Sequence, residues 1–279
     1  MAKPEAGPMW PSHLLLLGCG NMAGAMLLRW LDEGLPAERV TVVRPSGNAV
    51  APGVRVLTAL EGPVEGDTLV MLGCKPQQLA DVAGTTAPLL GPETTMLSIL
   101  AGVPIARIRD AFPAIHSIVR CMPNLPVRVG KGVSILKVED AADERARDLV
   151  DAMCSRLGLV EWLDDEQLFD AATALAGCGP AFVYRFIDAL AAAGAELGLA
   201  PDAAARMALK TVEGAALSAA AADRPPADLA DAVASKGGMT REGLDVLDRS
   251  DGLAPLVMET LKAARDRGAV LAALSTKAS

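Results

Sequence analysis

The chain has 279 residues, with 26 Lys and Arg against 34 Asp and Glu for a formal charge of -8, and its aromatic share is 3%. Nucleic acid is held by basic stripes and stacked rings, and a chain with neither argues against such a partner. The length suits two medium domains. The five cysteines (Cys19, Cys74, Cys121, Cys154 and Cys178) are odd in number and widely spaced. They form neither a CxxC pair nor a Cys/His zinc pattern, which fits a reducing cytoplasm. His13 and His116 are the only histidines, so no metal is expected, although a carboxylate-only site stays open. Residues 1–12 hold Pro4, Glu5, Pro8 and Pro11; they read as a flexible extension and lack the basic-then-apolar layout of a signal peptide. No apolar stretch of membrane-spanning length is free of charges, which predicts a soluble protein.

From residue 13 to about 138, short apolar runs alternate with helix-like segments, the pattern of βαβ units and a largely parallel sheet. The strand-like runs are His13–Gly18, Val40–Arg44, Thr68–Cys74, Thr94–Leu100, Ser117–Met122 and Val133–Val138. Their continuous apolar character is that of strands buried on both faces. Helices are predicted at Asn21–Glu33, Gln77–Leu89, Pro104–Ala111 and Ala141–Leu157. After Glu161 the sequence becomes Ala-rich and strand-free, with helical spacing over Asp165–Ala176, Pro180–Leu197, Asp202–Ala222, Ala227–Val233, Thr240–Leu247 and Gly252–Leu274. The fold class expected is therefore an α/β Rossmann-type domain over 1–163 followed by an all-α domain over 164–279. The helices of the second domain carry Ala on several faces, and one chain does not cover them all; an obligate dimer is expected, against the alternative of a self-contained bundle.

The first strand runs into Gly18-Cys19-Gly20-Asn21-Met22-Ala23, a GxGxxA turn that opens a helix. The first glycine permits the tight turn, the second lets backbone approach a pyrophosphate, and Ala23 lets helix and strand pack closely. The second strand ends in Arg44-Pro45-Ser46-Gly47, with no acid where an NAD enzyme places one on the ribose. Arg44 and Ser46 suit a 2′-phosphate, so NADPH is favoured over NADH. Three more strand ends carry small or polar residues at 74–77, 101–103 and 122–124. Lys75 and Asn124 there can face a ligand or simply end their strands. In the helical part, Ala234-Ser235-Lys236-Gly237-Gly238-Met239-Thr240 is a glycine-bearing loop before a helix, with Thr240 expected as its N-cap. Its backbone amides can form a nest for a carboxylate, or the loop can be only structural.

These residues resemble pyrroline-5-carboxylate reductase over nearly the whole chain. The matching pieces are GCGNMA at the nucleotide turn, CKPQ at 74–77, ILAGV at 99–103, VRCMPNLPVRVGKG at 119–132, TALAGCGPAFVYRFIDALAAAGAELGL at 173–199 and ASKGGMTREGL at 234–244. The resemblance implies a Rossmann domain and a helical domain interlocked with a second subunit, often built into a ring of dimers. It also implies hydride transfer from NAD(P)H to the C=N carbon of 1-pyrroline-5-carboxylate, giving proline. Leu17, Gly18, Cys19, Gly20, Asn21 and Met22 would then cover the pyrophosphate, and Arg44 to Ser46 the adenosine end. The 73–76 stretch, with Cys74, Lys75 and Pro76, and residues 99–102, with Leu100, Ala101 and Gly102, would flank ribose and nicotinamide. Gly237, Gly238 and Met239 would bind the carboxylate, Thr240 would hydrogen-bond the ring nitrogen, and Asp223 falls where the family often has a Glu near the substrate.

Two departures stand out. The family loop commonly reads Ser-Pro-Gly-Gly-Thr-Thr, but Lys236 and Met239 replace its Pro and first Thr. The stretch from Ala176 to Phe182 lacks three hydroxyls common there. A β-hydroxyacid-type dehydrogenase or broader imine reductase shares the front domain but places a catalytic Lys or another acid on the first long helix of the second domain, and Pro180–Leu197 contains no Lys. A non-catalytic NADP sensor is the alternative from another class, and retention of Thr240 beside two glycines argues against it.

Overall fold

The computed structural model describes residues 10–64, 66–139 and 144–277. They form two compact units. One holds the chain to residue 177 together with residues from 265 onward, and the other holds residues 178–264.

The first unit runs β1 (His13–Leu17), α1 (Asn21–Asp32), β2 (Val40–Val43), β3 (Arg55–Leu57), β4 (Thr68–Leu72), α2 (Leu79–Thr86), β5 (Thr95–Ser98), α3 (Ile105–Ala111), β6 (Ser117–Pro123), β7 (Gly132–Val138), α4 (Glu144–Ser155), β8 (Gly158–Trp162) and α5 (Phe169–Ala172). The strands make one sheet in the order β3-β2-β1-β4-β5-β6-β7-β8. All neighbours are parallel except β6 and β7. The chain leaves β1 toward β2 on one side and later returns to β4 on the other. That reversal is the topological switch point at which open α/β sheets bind ligands.

Alternation along the strands divides the core into two layers. Leu14, Leu16, Val42, Leu69, Met71 and Leu97 face α1 and α4, with Trp30 and Met153 fully buried among them. Leu15, Leu17, Val70, Leu72 and Met96 face α2 and α3, where Ile108 and Phe112 close the opposite side. A sheet covered on both faces needs apolar residues at successive positions, which is why β1 and β4 read as unbroken apolar runs. The indole Nε1 of Trp30 donates to the Met153 carbonyl at 2.8 Å, tying α1 to α4.

The expected α/β order is present, with three differences. β3 and β8 are additional strands at the two sheet edges, where a short or one-sided strand carries little apolar signal; β8 alternates half-buried and exposed residues. β7 runs antiparallel to β6. The helix expected at 165–176 is a 3₁₀ turn at Glu166–Leu168, then α5, then a π turn at Thr173–Gly177. The compact units part after 177 and not at 163/164, because this stretch stays on the sheet: Phe169 is fully buried, and the Asn124 side-chain amide donates to the Ala176 carbonyl at 2.9 Å. Of the extension expected over 1–12, residues 1–9 lie outside the described residues, whereas Trp10 packs under the Arg156 guanidinium, 4.3 Å from its ring centre. Of the helix expected at 141–157, residues 141–143 likewise lie outside the described residues.

The second unit consists of α6 (Gly179–Glu196), α7 (Pro201–Ala221), α8 (Pro226–Ala232), α9 (Met239–Leu247) and the first half of α10 (Leu253–Lys277). α6 and α7 approach closely at Gly194, where a Cβ would lie 3.4 Å from that of Ala204. Nothing in the 18-residue α6 is buried, and Val183, Tyr184, Phe186 and Leu190 stand exposed. The stretch Glu166–Glu196 is long and apolar enough, by length and composition, to cross a membrane, which the sequence reading did not anticipate. An apolar face of this size must be covered by something other than the unit itself.

Truncating Trp30 removes the largest fully buried side chain and leaves the Met153 carbonyl unpaired. Trp30→Ala is expected to lower stability by about 3–5 kcal/mol, read as an earlier midpoint in urea unfolding at fixed protein concentration.

Candidate active site

Strand register aligns the first unit's ligand edge. Leu17 pairs with Val43 and with Leu72, and Leu72 pairs with Ser98. Four strands thus end in one row, and the residues after them share one edge of the sheet: Gly18–Met22, Arg44–Ser46, Gly73–Pro76 and Ile99–Gly102. The cofactor set expected from separate motifs is brought together by this register.

At the centre of the row the backbones of β1 and β4 nearly touch. Gly18 has φ +88°, and a Cβ on it would lie 2.8 Å from the Cys74 amide nitrogen. Gly73 answers from the other side, where a Cβ would lie 2.6 Å from the Gly18 carbonyl oxygen and 2.9 Å from Cβ of Ala23. Backbone bonds lock the crossing: the Gly18 N–H donates to the Val43 carbonyl at 2.8 Å, and the Gly73 N–H to that of Leu17 at 3.0 Å. Gly20 caps α1 with extended backbone and no side-chain bond, and the first turn holds no acid. A Cβ on Gly20 would meet nothing within 4 Å. The helix start is therefore an open, electropositive cradle for a phosphate.

Arg44 is half-buried at the end of β2, and Pro45 and Ser46 turn there in the open. The Gly47 N–H closes the turn on the Arg44 carbonyl at 3.1 Å. The Arg44 charge reaches the first loop, where it opposes the burial that pushes the Cys19 thiol up. Burial also raises the Cys74 thiol. Both cysteines thus stay protonated at neutral pH, serving as walls of the edge and not as nucleophiles. Lys75 is exposed, and its amide N–H donates to Oε1 of Gln78 at 3.1 Å. Leu100 is buried, Ala101 is exposed, and Gly102 turns with φ +71° against the end of α10 at Leu271.

Asn124, ambiguous from sequence, is a brace. It is buried, its Oδ1 accepts from the Val133 N–H at 2.9 Å, and its amide group donates to Ala176. A second brace carries no sequence signal. Arg120 on β6 is buried against Phe169, 3.8 Å from the ring centre, and donates to Glu166 Oε1 at 2.8 Å. The same oxygen accepts the Ile105 N–H at 3.1 Å, which anchors the loop that carries Leu100–Gly102.

In the second unit the loop before α9 is a tight turn. The Gly238 N–H donates to the Ser235 carbonyl at 2.9 Å, and Gly237 has φ +69°. The N-cap of α9 is Gly238. Thr240, expected as the cap, is the second helical residue, because Gly238 already has the extended backbone a cap requires while Met239 and Thr240 are helical. The cap thus has no side chain of its own, the N–H groups of Met239 and Thr240 lie in the first turn without intrahelical carbonyls, and Met239 is 94% exposed. Asp223 lies exposed in the turn between α7 and α8 and makes no hydrogen bond or ion pair among the described residues.

Known proteins share this fold. The model of the family described as pyrroline-5-carboxylate reductase dimerisation matches residues 166–271. Pyrroline-5-carboxylate reductase of Pseudomonas aeruginosa is 33% identical over 93% of this chain and 97% of that protein. Among solved structures, the pyrroline-5-carboxylate reductase of Coxiella burnetii superposes with a TM-score of 0.85 at 28% identity, covering 93% of this chain and 98% of that one. The pyrroline carboxylate reductase of Plasmodium falciparum with NADP bound gives 0.81 at 25% identity, covering 93% and 98%. The dimerisation match supplies the cover for the exposed helical faces: the chain forms a homo-oligomer, and a membrane is not needed to explain Glu166–Glu196.

A methyl group at residue 18 would have to part the two backbones and adopt a left-handed conformation that costs about 1–2 kcal/mol. Gly18→Ala is expected to abolish measurable NADPH binding by fluorescence titration while leaving the oligomer intact by sedimentation; binding of normal strength would refute the cradle.

Proposed function

The chain belongs to the pyrroline-5-carboxylate reductase family, and from that membership we propose that it reduces 1-pyrroline-5-carboxylate to L-proline, the last step of proline biosynthesis, with NADPH preferred over NADH. The observation that carries the reading is the row of four strand ends around the Gly18–Cys74 crossing, with an open, acid-free helix start beside it. The residues there fit a dinucleotide: Leu17–Met22 against the pyrophosphate, Arg44 and Ser46 at the 2′-phosphate, and Cys74–Pro76 with Leu100–Gly102 flanking ribose and nicotinamide. When bound, NADPH supplies the hydride.

The rest of the chemistry falls to the chain. The Gly237 and Met239 amides receive the substrate carboxylate, the Gly238 amide being engaged by the Ser235 carbonyl, as a glycine turn leading into a helix receives anions generally. The Thr240 hydroxyl hydrogen-bonds the ring nitrogen and holds its proton in place, and Asp223 adds negative charge on the substrate side. A protonated imine carbon is already electrophilic, so orientation and charge stabilisation suffice and no strong acid is required. The Cys19 and Cys74 thiols, raised by burial, line the cofactor edge in protonated form.

The functional division follows the sequence, with cofactor binding in 1–163 and substrate binding and subunit pairing in 164–279. The subunits pair as homodimers and assemble further into a ring of dimers. Five free cysteines and an acidic surface suit a soluble cytoplasmic enzyme.

Initial rates with 1-pyrroline-5-carboxylate are expected to be higher with NADPH than with NADH, and proline is expected as the product. A protein that binds NADPH without turnover would instead be a sensor. Arg44→Ala is expected to raise KM for NADPH by roughly tenfold, the size of a charge-assisted hydrogen bond, and KM for NADH by much less; equal effects would refute the 2′-phosphate role. Thr240→Val is expected to lower kcat/KM for the imine by about 10- to 100-fold with NADPH affinity unchanged. A normal kcat/KM would remove Thr240 from the reaction.

A further inference from the structure

The loop before α9 is spanned by an ion pair. Arg241, in the first turn of α9, donates from Nη2 to Oδ1 of Asp231, near the end of α8, at 2.6 Å. Each charge stands where its own helix disfavours it. A helix C-terminus gathers negative partial charge, where Asp231 is an acid, and an N-terminus gathers positive partial charge, where Arg241 is a base. Neither helix is stabilised by its own residue, so what the pair stabilises is the spacing between α8 and α9.

Inside that span the backbone is held at two points, the Ala234 N–H to the Asp231 carbonyl at 3.1 Å and the Gly238 N–H to the Ser235 carbonyl at 2.9 Å. Ala234 is buried. Gly237 has open space on its Cβ side, and no side chain restrains it there. The Gly237 amide is held by neither bond and the Met239 amide belongs to the first turn of α9, so the direction in which these two point depends on where the helix ends stand. Asp245 on α9 and Asp248 just after it add to the hold on the guanidinium, whose affinity for its proton is raised chiefly by the Asp231 hydrogen bond.

We propose that the Asp231–Arg241 pair is a positioning clamp for the carboxylate-binding loop, setting KM for a small cyclic imine carboxylate while keeping the Arg241 guanidinium off that carboxylate. The inference rests on the reading of Gly237–Thr240 as the carboxylate site. With the pair broken, the loop samples a wider range and binds the anion less well. Once the anion is bound, the reacting groups are arranged as before.

The test uses the full-length oligomer carrying Asp231→Asn, Arg241→Gln, both together, and Arg241→Lys. KM for 1-pyrroline-5-carboxylate, kcat, NADPH affinity and Tm are measured for each. Each single neutralisation is expected to raise KM roughly fivefold, the size of a well-placed exposed pair, with kcat and NADPH affinity held within about twofold. The double variant is expected to be no worse than either single, because both remove the same interaction, and Arg241→Lys to recover most of the loss. A rise in KM for Arg241→Gln with no rise for Asp231→Asn would overturn the clamp, since it would place Arg241 directly on the carboxylate. Unchanged KM in both singles, or a common fall in kcat, NADPH affinity and Tm, would overturn it as well. The unsubstituted protein is assayed first: absence of turnover there counts against the reading of the loop, whereas turnover with unaltered variants counts against the clamp alone.

Discussion

The rest of the first unit depends on how closely two backbones pass at the centre of the sheet. β1 and β4 can run side by side and still leave room for a ligand at their ends only because Gly18 and Gly73 lack Cβ atoms at the crossing. With the backbones in contact there, α1 starts directly beside the gap, and Ala23 is small enough to sit against Gly73. The positive end of α1 is consequently aimed at the place where the sheet's connections reverse direction. Arg44, Cys74 and Gly102 reach the same edge because parallel register carries the row outward from that crossing.

The second unit obeys a different constraint. Alanine permits helices to approach closely, as α7 does with Ala204 and Ala208 buried against α6, but alanine buries little area per residue. The larger side chains, Tyr184, Phe186, Leu190 and Leu256, lie on the outside. A unit built this way loses much of the hydrophobic contribution to its stability until a second copy covers those faces. Folding and assembly are linked in such a design, so substitutions on the exposed faces act on stability through the oligomer.

Features determined by local chemistry could be read in advance from the sequence. The turn at 18–23 needs a particular residue type at each of a few adjacent positions, and the buried strands need unbroken apolar runs. Edge strands escaped because they meet neither condition: β3 has three residues, and β8 shows one half-buried face. Thr240 looked like a cap because a threonine after two glycines satisfies that pattern, yet Gly238 satisfies it first. Asn124 was ambiguous because only tertiary structure reveals that it braces Val133 and Ala176. The Arg120–Glu166 and Asp231–Arg241 pairs were invisible: they span 46 and 10 residues, and no periodicity marks either one.

The hidden pairs share a logic with the reaction. A protonated imine asks for little chemical assistance, so the rate depends on how well donor and acceptor are held. In a site of that kind, residues that never meet the substrate matter by holding in place the groups that do. Glu166 gathers Arg120 and the Ile105 amide behind the Leu100–Gly102 loop, and Asp231 holds Arg241 behind the Gly237–Thr240 loop. Each glycine loop is free to take an unusual backbone shape, and each is steadied from behind by a carboxylate–guanidinium pair. In this reading Lys236 and Met239 change the loop's side chains and leave its proposed anion-holding groups in place. Both side chains are exposed, and the groups assigned to hold the anion are backbone amides, which any side chain leaves in place so long as the glycines and the supports behind them remain.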